Sequence, residues 1–117
     1  MSIQRLLTKK RLTDIVIHNG VVHLSGQLAN DFDGDIRAQT LETLGKIDYL
    51  LAQAGTDRSN ILSVTIYLKN IKTDFSAMNE VWEAWIDNNA VPARACVEAT
   101  MYDPSVLVEM TVIAVQS

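Results

Sequence analysis

The chain has 117 residues, of which 48% are hydrophobic and 21% charged, a balance that suits one domain over residues 1–117 with a core that needs no covalent staple. Its single cysteine excludes an intrachain disulfide framework, and its two histidines, His18 and His23, offer no zinc-like spacing, so no metal is expected. A formal charge of −4 argues against a phosphate-binding surface and disfavours nucleic acid as a partner, despite a local basic patch at Lys9-Lys10-Arg11.

The first residues lack the long apolar core of a signal peptide, and no run approaches the ~18 apolar residues that span a bilayer. A cytoplasmic protein without a membrane partner is expected. Ile3 to Leu7 reads as a short strand, and Thr8 to Thr13 is polar enough to be a surface loop. Asp14-Ile15-Val16-Ile17-His18 and Val21-Val22-His23-Leu24-Ser25-Gly26 flank Asn19-Gly20, the strongest short hairpin signal. Gly26 after Ser25 predicts a bulge or a close backbone approach at the strand end.

An acidic turn at Asn30–Asp35 precedes Ile36, Thr40, Thr43, Leu44, Ile47, Leu51 and Ala54, which recur at helical spacing. Asp33 or Asp35 can cap this helix and Ala54-Gly55 can end it. The turn is no calcium loop, because its glycine is misplaced and the distant glutamate is missing. From Asn60 the period becomes two: Leu62, Val64, Ile66 and Leu68 face one side, and Ser63, Thr65 and Tyr67 the other, as in a central strand. Thr73 or Asp74 can cap a second helix whose Phe75, Met78, Trp82, Trp85 and Ile86 form one core-facing stripe, with Asn88-Asn89 at its end.

Val91-Pro92-Ala93-Arg94-Ala95-Cys96-Val97-Glu98-Ala99 is the next strand, with pairing expected to begin after the proline. Alternation puts Arg94, Cys96 and Glu98 on one side and Ala95, Val97 and Ala99 on the other, the second set reading as core. In Val106–Val115 a solitary carboxylate, Glu109, interrupts an otherwise apolar run, and Asp103-Pro104 between the two runs suggests an antiparallel hairpin. If Cys96 lies across from Glu109, Arg94 is diagonal to Glu109 at roughly 7–8 Å. A small ligand then fits between guanidinium and carboxylate.

The element order gives an α+β fold, a sheet with two helices on one face. The other face, carrying Ser63, Thr65, Tyr67, Cys96 and Thr111, is not the charged set of a solvated sheet, which predicts burial against further copies in a closed homo-oligomer. Structural alternatives stand beside these readings. Arg94 can pair with Glu98, Glu109 or a carboxylate of another subunit, and Cys96 is better read as packing than as a nucleophile, since neither histidine is evidently placed to activate it.

Gly20–Gln27, Asn60–Leu68, Asp74–Asn79, Pro92–Glu98 and Glu109 together resemble the RidA family, also called YjgF/UK114. The resemblance covers nearly the whole chain and implies a chorismate-mutase-like (Bacillus type) mixed sheet, a homotrimer whose sheets form a central barrel, and clefts between subunits. It further implies hydrolysis of reactive 2-imino and enamine acids to 2-keto acids and ammonia, with no cofactor. Carried over residue by residue, Arg94 would hold the substrate carboxylate, Glu109 the water, and the backbone at Cys96 the amino group, while Ser25 and Asn79 would line the cleft. Guanidinium suits the task, because two parallel hydrogen bonds orient a carboxylate.

One position departs from the pattern. Leu12 stands where deaminating members carry an aromatic residue, usually tyrosine, which makes the chain more similar to a divergent subgroup containing the YoaB-like proteins. A binding module for small carboxylates, without turnover, is the alternative expectation.

Overall fold

Asn19 and Gly20 form the first corner of the sheet. In this computed structural model, which describes residues 2–117, they take φ of +54° and +78°, the left-handed pair that a two-residue hairpin turn needs. The turn joins β2 (Thr13–His18) to β3 (Val21–Gln27), and β1 (Gln4–Thr8) pairs antiparallel along the outer side of β2. β1 therefore lies one residue later than Ile3–Leu7.

Helix α1 (Ile36–Gln53) starts at Asp35, whose carboxylate accepts a hydrogen bond from the Ala38 N–H. Gly55, at φ +76°, lies just past its end. Ile36, Thr40, Thr43, Leu44, Ile47, Leu51 and Ala54 are all buried, as their spacing predicts. Gln39 is buried among them. It donates to Ser105 O (2.9 Å) and accepts from Leu107 N (2.9 Å), pinning the loop before the last strand to this helix.

A short turn at 58–60 leads into β4 (Ile61–Leu68). There Arg58 grips both carboxylate oxygens of Asp48, lies 4.7 Å over the Trp85 ring and donates to Trp85 O, while Trp85 Nε1 donates to Asp48 (2.9 Å). Guanidinium can do all three at once because it is planar and has donors on every edge. The network fastens α1 to the second helix. A bulge lies between Ile61 and Ser63, so Ile61 takes the core position and Leu62, expected to face inward, is 50% exposed.

Helix α2 (Ile71–Trp85) begins earlier than Thr73 or Asp74 would allow. Asn70 is its N-cap and makes no side-chain capping bond. Glu98 supplies the missing acceptor, taking the Ile71 N–H at 3.0 Å, and its negative charge suits a helix N-terminus. The helix ends at Trp85, before Asn88-Asn89. Met78, Trp82 and Trp85 face the core, but Phe75 is 39% exposed.

The largest correction concerns β5 (Ala93–Glu98) and β6 (Val108–Val115), which do not form a hairpin. The six-stranded sheet runs β1-β2-β3-β6-β4-β5, with β5 parallel to β4 and every other pair antiparallel. β4, α2 and β5 thus make a crossover unit, the connection that parallel neighbours require. Burial explains the division. Val108, Met110, Val112 and Ala114 of β6 are essentially inaccessible, which demands an inner position, whereas β5 carries Arg94, Cys96 and Glu98 and suits an edge.

Register also reverses the expected faces of β5. Arg94, Cys96 and Glu98 stand level with the buried Val64, Ile66 and Leu68, on the helix-covered side. Ala95 and Val97 stand level with Thr65 and Tyr67 on the uncovered side, so they are not core, and Cys96 is not part of that face. The protein is a flat two-layer slab of 44 × 37 × 20 Å. Among the described residues no helix is long and apolar enough to cross a membrane.

Candidate functional site

Two groups of side chains gather at different places. The first surrounds Arg94 on the edge strand. Its Nη1 donates to Asn79 Oδ1 at 2.7 Å, and its guanidinium lies 5.4 Å from the Trp82 ring centre and 5.9 Å from that of Phe75. Phe75, Asn79 and Trp82 form one stripe of α2 at positions i, i+4 and i+7, the spacing that stacks side chains along a helix. The stripe faces β5 because α2 packs across β4 in the crossover. Beside it opens a cavity of about 370 Å³ whose lining includes Asn79, Trp82, Ile86, Val91, Pro92 and Arg94.

Arg94 is exposed and makes no ion pair among the described residues. The two partners expected within the chain are accounted for otherwise: Glu98 caps α2, and Glu109 lies elsewhere. Cys96, two residues on, is half-buried. Burial pushes its thiol pKa upward and the neighbouring Arg94 charge partly opposes the shift. A thiol in that state is a poor nucleophile, which agrees with packing or backbone roles.

The second group surrounds Glu109 on the uncovered face. Glu109 stands level with Tyr67 of β4, and its carboxylate lies over Gly26, where an added Cβ would sit 3.0 Å from Cδ and 3.3 Å from Cγ. Gly26 falls within the register shift between Leu24 and Gln27. The missing side chain and the bulge together make the seat that the Ser25-Gly26 pair suggests in sequence. Ser25 Oγ donates to Thr13 O at 2.6 Å, so its proton is committed to the start of β2 while its lone pairs stay available. Leu12 is in the adjoining β1–β2 loop, 46% exposed, and its carbonyl accepts from Lys9 N (2.7 Å).

Arg94 is therefore brought together with Asn79, and Glu109 with the Ser25-Gly26 bulge, as two separate groups. They do not share a face within one chain. The proposed direct juxtaposition of Cys96 and Glu109 is replaced by Cys96 level with Ile66 and Met110, and Glu109 level with Tyr67. The aromatic partners of Arg94 escape sequence reasoning because Phe75 and Trp82 look like ordinary members of an apolar helix stripe. Their i, i+4, i+7 relation to Asn79 is the signal that could have found them. Among the described residues no group of three or more histidine, cysteine or acidic side chains is arranged to hold a metal ion.

Comparison with known proteins gives consistent matches. The profile of a family described as endoribonuclease L-PSP matches residues 2–116. The chain is 41% identical over 115 residues to a RutC family protein of Haemophilus influenzae, covering 97% of this chain and 98% of the relative. It is 38% identical over 114 residues to the RutC family protein YoaB of Escherichia coli, with 97% and 98% covered. The crystal structure of a member of the YjgF protein family from Neisseria meningitidis superposes with a TM-score of 0.95 at 38% identity, covering 100% of this chain and 97% of that one.

Proposed function

The chain belongs to the RidA/YjgF family, and from that premise we propose that it hydrolyses reactive 2-imino and enamine acids to 2-keto acids and ammonia in a cleft between subunits of a homotrimer. The observation that carries the reading is Arg94: an exposed guanidinium, held in place by Asn79 and two rings, with no acidic partner among the described residues. A cation fixed in this way is ready for a small carboxylate.

In the proposed reaction the substrate carboxylate takes two parallel hydrogen bonds from Arg94, and backbone at Cys96 receives the amino group. Glu109, contributed by the neighbouring copy, accepts a proton from water as the water oxygen adds to the imine carbon. The C=N bond becomes a single bond as the nitrogen takes up the proton returned by Glu109. Glu109 then accepts the proton of the new hydroxyl and passes it to the same nitrogen, so that the C–N bond breaks and ammonia leaves as the C=O bond forms. Ser25 and Asn79 line the two halves of the cleft. The uncovered sheet face, with Val97 and Ile113 44% and 37% exposed, is the surface through which the copies would close.

The test is keto-acid release while an amino-acid oxidase generates imine. Purified protein should accelerate it and Arg94→Ala should not. Equal rates for the two would remove the reading. Leu12 favours a second one, a carboxylate-binding module without turnover, because an exposed apolar side chain cannot hydrogen-bond where deaminating members carry an aromatic. In that case pyruvate should raise the melting temperature only while Arg94 is present, with no turnover. The net charge of −4 disfavours RNA as substrate.

A further inference from the structure

We infer that Phe75 and Trp82 are positioning residues that hold the Arg94 guanidinium as a fixed planar fork, so that the site takes ligands ending in a planar carboxylate. The inference rests on Arg94 being the carboxylate-holding group. Phe75 supplies its starting point. On a stripe whose other aromatics are buried, this ring is 39% exposed, and what lies over it is Arg94 at 5.9 Å.

The three contacts divide the work. Trp82 is only 5% exposed and is itself braced by Trp85 at 5.6 Å between ring centres, so it is the immobile wall. Phe75 is the second ring beside the guanidinium. Asn79 takes Nη1. Nε and Nη2 make no hydrogen bond among the described residues, and together they form an edge of the guanidinium, untouched by Asn79, that can reach both oxygens of a carboxylate at once. Arginine on an exposed edge strand would otherwise sample many rotamers, most of them pointing the fork elsewhere. Stacking and the Asn79 bond select one orientation before the ligand arrives, which is how preorganisation raises affinity without a new ligand contact. Lysine could not replace Arg94, since an ammonium has neither a planar fork nor a fixed edge.

The experiment is calorimetric titration with pyruvate, with keto-acid release kinetics alongside, on the parent protein, Phe75→Leu, Phe75→Tyr, Trp82→Phe and Arg94→Ala. Phe75→Leu is the informative variant because its side chain is partly exposed and the fold should survive, which an unchanged melting temperature verifies. It should raise the pyruvate Kd and the KM by about fivefold while kcat stays within about twofold. Phe75→Tyr and Trp82→Phe keep a ring and should remain within about twofold of the parent in Kd. If Arg94→Ala loses binding but Phe75→Leu binds like the parent, the positioning role is overturned and the carboxylate site stands. A fall in kcat at unchanged KM and Kd would likewise overturn it. If pyruvate fails to bind the parent, or binds Arg94→Ala equally well, the carboxylate site and the bracket around it fall together.

Discussion

Arg94 and Glu109 lie on opposite faces of one sheet. Arg94 is level with Val64 on the helix-covered side, Glu109 is level with Tyr67 on the uncovered side, and β4 runs between their strands. One chain cannot offer both groups to one small ligand. A reaction that uses both must take them from two copies, and an oligomer would then be part of the chemistry rather than a packaging detail.

Mixed oligomers test that consequence. Arg94→Ala and Glu109→Gln chains should each be inactive alone. When they are refolded together in equal amounts, roughly a quarter of the sites combine an intact Arg94 from one copy with an intact Glu109 from its neighbour, because each half is intact in roughly half of the chains. Recovery of imine hydrolysis near that fraction is expected. No recovery, once native mass spectrometry has verified mixing, would mean that the two groups do not act in one shared site.

Gly26 offers a test of the Glu109 half alone. A methyl group there would overlap the carboxylate, whose Cδ lies 3.0 Å from the added atom, and the flexible end of Glu109 is what must move. Gly26→Ala should lower kcat at least about tenfold, since about 1 Å of misplacement is enough for such losses. The Kd for pyruvate, set at Arg94, should hardly change. A loss of pyruvate affinity with kcat retained would contradict the division of labour.

What could be read from the residues divides by sequence distance. The Asn19-Gly20 turn and the buried face of α1 are local, each decided by neighbours within a few positions, and both match the structure. Partner choice for β5 is not local. Asp103-Pro104 announces a turn but does not say that the strands on either side pair with β4 from opposite flanks, and that choice follows from how much apolar surface each strand must bury. The faces of β5 are misjudged for a related reason: Ala95 and Val97 look like core, yet on an edge strand they face the uncovered side while Arg94 and Cys96 sit beside α2. Residue types at the candidate site were legible through their family-like motifs. Their division between two faces of the sheet was not, because it depends on which face each strand presents.

The core contains an unpaired feature that substitution should improve. Thr40 and Thr43 are fully buried, and neither hydroxyl oxygen has a hydrogen-bond partner among the described residues. A buried hydroxyl left unpaired costs about 1–3 kcal/mol, while valine has nearly the same shape and similar helix propensity. Thr43→Val should therefore raise the unfolding free energy by about 1 kcal/mol in urea denaturation, with the m-value unchanged. Destabilisation instead would show that the hydroxyl finds a partner in solution, such as an internal water.

Cys96 gives stability an alkaline dependence of definite sign. Burial raises its thiol pKa above the ordinary 9.0, and the Arg94 charge only partly offsets this. The unfolded chain releases the thiol proton near the ordinary value while the native chain still holds it, so rising pH favours unfolding between those two points. Well below 9.0 both states are protonated and the thiol contributes no slope. Cys96→Ala removes the group, and the difference in unfolding free energy between parent and variant should be flat from about pH 6 to 8 and then move against the parent above about pH 9. Arg94→Ala should steepen the decline, because burial is then unopposed. Parallel curves for parent and Cys96→Ala across the whole range would mean that the thiol ionises equally easily in both states, and that its half-buried place beside Ile66 does not disfavour the thiolate.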